Sequence, residues 1–302
     1  MTDPTSPDIL GAFSDALADR VAASAPLLAA IEPSPGRYLS AIVWRPDVLV
    51  TSEQALPHRQ SYPALLGERH AAAQLAGRDR GTNVAVLRLA AAPSEQGAPP
   101  PGASAPRAGA LALALGANPG PVARVATIRN AGPAWHSMAG GRIDRLIRLD
   151  MRASHAEEGG PVLDAQGGLI GMATAGPRGR ALVIPHETIA RVLGPLLAEG
   201  RVARGWLGVG LQPVTVPEPL RDGGGQEAGL MVVSLAAGGP AEQAGILPGD
   251  ILLSIGGQAL DGRRAVRSAF GELSPGREAE IGLLRAGSRQ VIKVTAGARP
   301  EA

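Results

Sequence analysis

The sequence predicts a mostly β protein of two domains, and three observations carry that prediction. Between residues 38 and 184 the chain breaks into short runs rich in Val, Ile, Leu and Ala, punctuated by Gly and Pro. Many short strands with frequent turn residues argue for a β-sandwich or a pair of barrels. Residues 186–199 then carry Ile189, Val192, Leu193, Leu196 and Leu197 at helical spacing, and Gly200 stops the run. From about Gly205 onward, roughly 95 residues repeat strand and turn signals, the right size for an independent module. At 302 residues, one large domain or two ordinary ones are expected.

The elements follow in order. Residues 8–31 read as a helix, with Asp8 as N-cap and Ile9, Phe13, Leu17 and Val21 as a stripe at four-residue spacing. Either the stripe docks on the chain's own body or it is a partner-binding helix. Strand-like runs follow at 39–44, 48–51, 84–89, 111–115, 122–128, 146–149, 162–163, 169–173 and 181–184. The stretch APSEQGAPPPGASAPR (92–107) splits this region as a flexible linker, proline-stiffened in part. The predicted boundaries are an N-terminal helical segment at 1–37, a β domain at 38–185, a connecting helix at 186–203 and a second domain at 204–298. Within that last domain come a strand WLGVGLQP, a Gly-rich loop at 223–225, a strand GLMVVSL, the turns AAGGPAEQAG and LPGD, a helix at 262–273, and strands at 279–285 and 289–295.

Composition excludes several chemistries. With no Cys there is no disulfide, no thiolate nucleophile and no Cys-based metal site. Nucleophile–base catalysis would need Ser or Thr with His58, His70, His136, His155 or His186. The pI of 9.6 comes with a net charge of only +2, and Lys293 is the single lysine. Three Trp, two Tyr and two Phe leave few rings for stacking bases, and no basic stripe is evident in the sequence, so nucleic acid is not an expected partner. No run reaches the ~18–20 apolar residues of a membrane span. Asp3, Asp8 and Asp15 stand where a signal peptide needs basic residues, which gives a cytoplasmic expectation, with the periplasm as the alternative if the true N-terminus differs.

AGGPAEQAGILPGDILLSIGGQAL (237–260) resembles the PDZ domain of the HtrA/DegP family of trypsin-like serine proteases, and RGWLGVGLQ (204–212) is similar to its carboxylate-binding loop. Successive backbone N–H groups over Trp206, Leu207, Gly208 and Val209 can form a nest for a terminal carboxylate, and the following strand offers an edge to the peptide. The resemblance implies an opposite wall on helix 262–273, where Val266, Ala269 and Phe270 face the groove by spacing. A PDZ-like fold serving only as a spacer or docking element is the other reading.

Residues 38–200 resemble the protease domain of the same family, through AIVWRPDVLVTSEQAL (41–56), GTNVAVLRLA (81–90), LGANPGPVARVATIRNAG (115–132), EEGGPVLDAQGGLIGMATA (157–175) and VIPHETIARVL (183–193). The resemblance implies a trypsin-like double β-barrel with catalytic His, Asp and Ser in that order. This chain has Gln54, Asn83 and Glu158 at those positions. Gln54 cannot take up a proton near neutral pH, Asn83 cannot stabilise an imidazolium, and Glu158 is a poor acyl-transfer nucleophile. Alternatives are a Ser154–His155 pair, His58 delivered by a loop shift, or a divalent metal held by His155, Glu157 and Glu158. A structural reading places the Glu158 carboxylate in the former oxyanion hole, accepting its N–H bonds.

The expected function is therefore a catalytically inactive HtrA-like homologue that binds C-terminal or extended peptide segments, with no cofactor and no resident metal. An active endopeptidase with a non-standard site is one alternative. A structural subunit assembling with an active paralogue, as a homo- or hetero-oligomer of HtrA-type subunits, is the other.

Overall fold

The computed structural model describes residues 8–90, 105–221 and 225–298. The contacts divide the chain into two compact units. The first comprises the chain up to Ala134 and Ile143–Arg201, and the second comprises Trp135–Arg142 and the chain from Val202.

The first unit begins with α1 (Ile9–Ser24), whose Asp8 carboxylate accepts the Gly11 N–H at 2.9 Å as a side-chain N-cap. The helix is shorter than the 8–31 expected. Pro26 lies two residues beyond it, and Leu28–Ser34, read as helix from its Ala and Leu content, is instead β1, the first strand of a barrel. The barrel thus starts ten residues before the boundary predicted at 38. The apolar stripe docks only by its C-terminal half. Leu17 and Val21 are partly buried and Arg20 donates to the Gln166 carbonyl, while Ile9 is 72% and Leu10 81% exposed.

Strands β2 (Arg37–Arg45), β3 (Val48–Ser52), β4 (Ser61–Leu66), β5 (Arg69–Asp79) and β6 (Val84–Leu89) close the first barrel in the order β1-β2-β3-β6-β5-β4. Its core contains Ile31, Leu39, Val43, Leu49, Tyr62 and Leu87. β4 and β5 were not expected. Pro63 argues against a strand, and the Ala-rich β5 lacks the β-branched residues that signal one.

Next come β7 (Leu111–Ala117), β8 (Pro121–Gly132), and the short β9 (Trp135–His136) and β10 (Arg142–Ile143), which pair with each other. β11 (Leu146–Arg152), β12 (Pro161–Asp164), β13 (Leu169–Ala175) and β14 (Arg180–Pro185) complete a second closed barrel, β11-β14-β13-β12-β7-β8. In β8 the residues alternate between the core (Ala126, Ile128) and solvent (Val125, Thr127), the period-two pattern of a half-buried strand. The chain ends this unit with α2 (His186–Glu199), which buries Ile189, Val192, Leu193 and Leu196 and stops at Gly200 with φ +73°. Burial of those four side chains stabilises the docking by roughly 2 kcal/mol each. Helix α2 packs on β5, β6, β13 and β14 and so belongs to the barrel unit; it is not a free connector. Of the predicted linker 92–107, only 105–107 lie among the described residues.

Besides β9, the second unit consists of β15 (Gly205–Trp206), β16 (Val209–Thr215), β17 (Ala228–Leu235), α3 (Pro240–Gln243), β18 (Ile251–Ile255), β19 (Gln258–Ala259), α4 (Gly262–Gly271), β20 (Glu278–Arg285), β21 (Ser288–Thr295) and β22 (Gly297–Ala298). The main sheet runs β16-β17-β18-β20-β21, which leaves β16 at one edge. The LPGD turn is held by Asp250, 2% exposed, which accepts the Leu247 N–H and a two-point contact from Arg285 at 2.8 and 2.7 Å. Of the Gly-rich loop at 223–225, only Gly225 lies among the described residues.

Candidate functional site

Gln54, Asn83 and Glu158 come from three separate parts of the first unit, and the fold brings them together. Gln54 follows β3, Asn83 precedes β6 in a left-handed conformation (φ +58°), and Glu158 lies in the turn before β12. Asn is among the few non-Gly residues that accept such a φ readily. Glu158 Oε1 accepts hydrogen bonds from Ser52 Oγ (2.6 Å), Thr174 Oγ1 (2.7 Å) and Gln54 Nε2 (3.1 Å), while Oε2 accepts the Ala175 N–H at 2.6 Å. Asn83 Nδ2 donates to Thr174 Oγ1 (2.8 Å) and Ser52 Oγ (3.1 Å), and its Oδ1 accepts the Gln54 backbone N–H at 2.7 Å. Ser52 and Thr174 thus accept hydrogen bonds from Asn83 and donate their own to Glu158.

This directionality fixes the chemistry. Four donors fill the oxygens of the Glu158 carboxylate, which leaves few of its lone pairs open to a further partner. Ser52 and Thr174 each set a hydroxyl beside a Glu158 oxygen, as in a nucleophile–base pair, but they are 0% and 3% exposed and Glu158 only 6%. The recess bordered by Met151, Ala153, Glu157, Glu158, Ala173 and Thr174 does not admit a water molecule.

The Glu158 carboxylate does not occupy the oxyanion position that the sequence suggested. The N–H groups of its own turn are consumed locally: Glu158 N–H bonds to Ser154 O, Gly159 N–H to Ala173 O, and Gly160 N–H to Glu157 O. The side chain turns instead toward Ala175. Ser40 on β2 clamps the turn, donating its N–H to Glu158 O (3.2 Å) and its hydroxyl to Ala156 O (2.5 Å). Gly159 is required here, since φ is +82° and a Cβ would stand 2.2 Å from Ser40 O. Ser40, Ser52 and Thr174 escaped the sequence reading, because a hydroxyl within a buried strand gives no signal until its partner is known.

The other candidates disperse. Ser154 donates its hydroxyl to the Glu157 carboxylate, which also pairs with Arg124 at 3.4 Å, and His155 is exposed. His155, Glu157 and Glu158 therefore do not form a ligand set. His58 Nδ1 lies 3.0 Å from the Arg78 guanidinium, and His70 is exposed on β5. His186 stacks on Trp44 with ring centroids 4.9 Å apart; burial lowers its pKa below the usual 6.5, partly opposed by Glu187. His136 faces Glu272 at 3.4 Å within the second unit.

In the second unit the Trp206–Val209 segment leads into the edge strand β16. The Leu207 carbonyl accepts the Ala241 N–H and the Gly208 carbonyl accepts the Ala236 N–H, both at 2.8 Å. Among the described residues, neither the Leu207 nor the Gly208 N–H donates to a loop or turn carbonyl. Gly208 has φ +76°, and a Cβ there would meet the Trp206 ring at 3.2 Å. Val209, Leu211, Val266 and Phe270 are partly buried against the core. Ala269 differs from expectation: at 3% exposed it is part of the core. A cavity of about 500 Å³ lies elsewhere, lined by Ile255, Gln258, Leu273, Arg277 and Glu278, and no residue of Trp206–Val209 borders it.

Comparison with known proteins agrees with this division. Residues 39–172 match the trypsin-like peptidase domain family and residues 205–296 the PDZ domain family. A protein named as a probable periplasmic serine endoprotease DegP-like from Bartonella henselae is 30% identical over 261 residues, covering 84% of this chain and 51% of its own length. A like-named protein of Brucella suis is 30% identical over 260 residues, covering 83% of this chain and 50% of its own length. The chain thus spans about half the length of these curated relatives. Among solved structures, the HtrA-type protease AlgW with a decapeptide superposes with a TM-score of 0.74 at 26% identity, covering 95% of this chain and 99% of its own.

Proposed function

Because the chain belongs to the HtrA/DegP-like proteins, carrying a trypsin-like peptidase domain and then a PDZ domain, we propose that it keeps the peptide-binding role of such a protein without the hydrolytic one. It captures C-terminal or extended peptide segments at Trp206–Val209 and β16, with Val266 and Phe270 as the facing wall, and acts as an adaptor or regulator. The observation that carries this reading is the Gln54–Asn83–Glu158 network. Where the resemblance places the family's catalytic residues, it offers two amides and a carboxylate that already accepts four hydrogen bonds, which supports the reading. Loss of triad function costs about 10⁶ in turnover, about 8 kcal/mol of transition-state stabilisation. The decapeptide named with AlgW supports peptide capture by this fold. The periplasmic naming of the relatives supports the exported one of the two compartments considered.

Incubation of the purified protein with unfolded casein, beside Glu158→Ala, tests the claim. No cleavage by either is expected; cleavage that disappears in the variant would establish an enzyme. The relatives' naming as endoproteases favours that second reading. A subunit role beside an active paralogue draws support from the exposed Ile9, Leu10 and Phe13 of α1. Mass measurement of the protein alone and mixed with such a paralogue tests it.

A further inference from the structure

Four arginines of the second barrel stand without counter-ions. Arg148 and Arg152 project from β11, Arg180 begins β14, and Arg178 occupies the turn between β13 and β14. All four are exposed. Among the described residues none of their guanidiniums has an acidic partner, because the nearby carboxylates are taken. Asp150 pairs with Arg129, Glu157 pairs with Arg124, and Glu158 is enclosed in its network.

Their placement runs against sheet stability in two ways. Arg152 and Arg180 are directly opposed across the β11–β14 ladder, and opposed like charges destabilise a sheet. Arg178 adopts φ +60°, ψ +26°, followed by Gly179 at φ +70°, so both central turn residues are left-handed. Such a turn favours Asn and Gly, and an Arg there carries strain. The cluster is also firmly held. Ala153 N–H bonds to Gly179 O at 3.0 Å, the Arg124 guanidinium caps the Arg152 carbonyl, and the Arg152 guanidinium lies so close to Gly179 that a Cβ there would meet it at 3.2 Å.

We propose that this face is a docking surface for an acidic, extended protein segment, separate from the carboxylate-binding loop of the PDZ domain. Arg148 pairs with Leu182 and Arg152 with Arg180, so Arg148, Arg152 and Arg180 share one face. The register shifts between Arg148 and Arg152, and the four guanidiniums are spread over β11, β14 and the turn before it. That spread suits a chain bearing carboxylates at intervals, with a single phosphate or sulfate as the competing ligand. β11 is paired on both sides, with β8 and β14, so recognition runs through guanidinium–carboxylate contacts and not through strand addition. Residues 146–152 and 175–181 contain no aromatic ring on which a base could stack, which disfavours single-stranded nucleic acid.

The test is fluorescence anisotropy with a labelled Glu-rich peptide amidated at its C-terminus, so that the PDZ nest has no carboxylate to grip. A Gln-substituted peptide of the same length, an oligonucleotide of equal charge and inorganic phosphate serve as further probes. The acidic peptide should bind, weaken as ionic strength rises from about 10 to 150 mM, and lose about tenfold or more in affinity in the Arg152→Glu/Arg180→Glu double variant. Arg178→Gly, which relieves the turn and keeps the fold, should lose affinity while raising the melting temperature. No binding, equal binding of the Gln peptide, insensitivity to both variants, tighter binding of the oligonucleotide or displacement by equimolar phosphate would each overturn the proposal.

Discussion

The two functional regions handle their polar groups in opposite ways. Around Glu158 every donor is spent inside the protein: two hydroxyls, an amide and a backbone N–H converge on one buried carboxylate. At Trp206–Val209 the carbonyls of Leu207 and Gly208 are satisfied from within, while the N–H groups of those two residues make no loop or turn bond among the described residues. A protein leaves backbone donors uncommitted at small cost only where water or a ligand reaches them. The contrast separates a region whose polar groups are committed within the fold from the one at which peptide binding is proposed.

The largest effect should come from breaking the closed network. Glu158→Ala removes the acceptor for four donors, of which the Ser52 and Thr174 hydroxyls are almost fully buried, and unsatisfied buried groups cost about 1–3 kcal/mol each. With water entering the gap, we expect a loss of about 3–5 kcal/mol in denaturant unfolding of the first unit. A change below about 1 kcal/mol would mean that the network contributes little to the fold. Gly208→Val should do the reverse. It forces a β-branched residue to φ +76° against the Trp206 ring, abolishing binding of a free C-terminus at a cost of about 1–3 kcal/mol. Titration and thermal unfolding of the same variant separate the two effects.

Acidification should distinguish the units by their titrating groups. His186, in the first, has its pKa lowered by burial, so the folded state favours the neutral ring. Well above the unfolded value of about 6.5 both states are neutral; as pH falls through it the unfolded state takes up the proton first, and stability declines until the lowered pKa is passed. His186→Phe should flatten that decline. For Asp250, in the second unit, burial would raise the pKa, but the hydrogen bonds from Arg285 and the Leu247 N–H, with the Arg285 charge, bring it below the ordinary 3.8. Its contribution is present above 3.8 and is lost as pH falls through the lowered value, a limb that Asp250→Asn should remove. Following both by circular dichroism against pH would sharpen the comparison, and a reversal of the order would break it. The smallest effect is expected at Phe13→Ser, about 0.5 kcal/mol or less for the isolated chain, since the ring is 46% exposed.

Much of this was legible in the residues. All nine apolar runs became strands, and the three residues that the family resemblance singled out, Gln54, Asn83 and Glu158, lie in one hydrogen-bond network completed by Ser52 and Thr174. What escaped has identifiable causes. β1 and β5 are rich in Ala, a residue with more helix than strand preference, and their strand state comes from barrel closure. The direction of the Glu158 side chain depends on Ser52 and Thr174, 106 and 16 residues away in the chain, and no local pattern encodes that meeting. Ala269 and Phe270 are adjacent on α4, yet one is core and the other only partly buried against it, a distinction set by packing.

The most direct test of the central claim is an isothermal titration with one peptide in two forms, free acid and C-terminal amide, followed by mass analysis of the recovered peptide. Binding of the acid at least about tenfold tighter, with both forms recovered intact, is the predicted result. Equal affinity, or recovery of cleaved peptide, would contradict it.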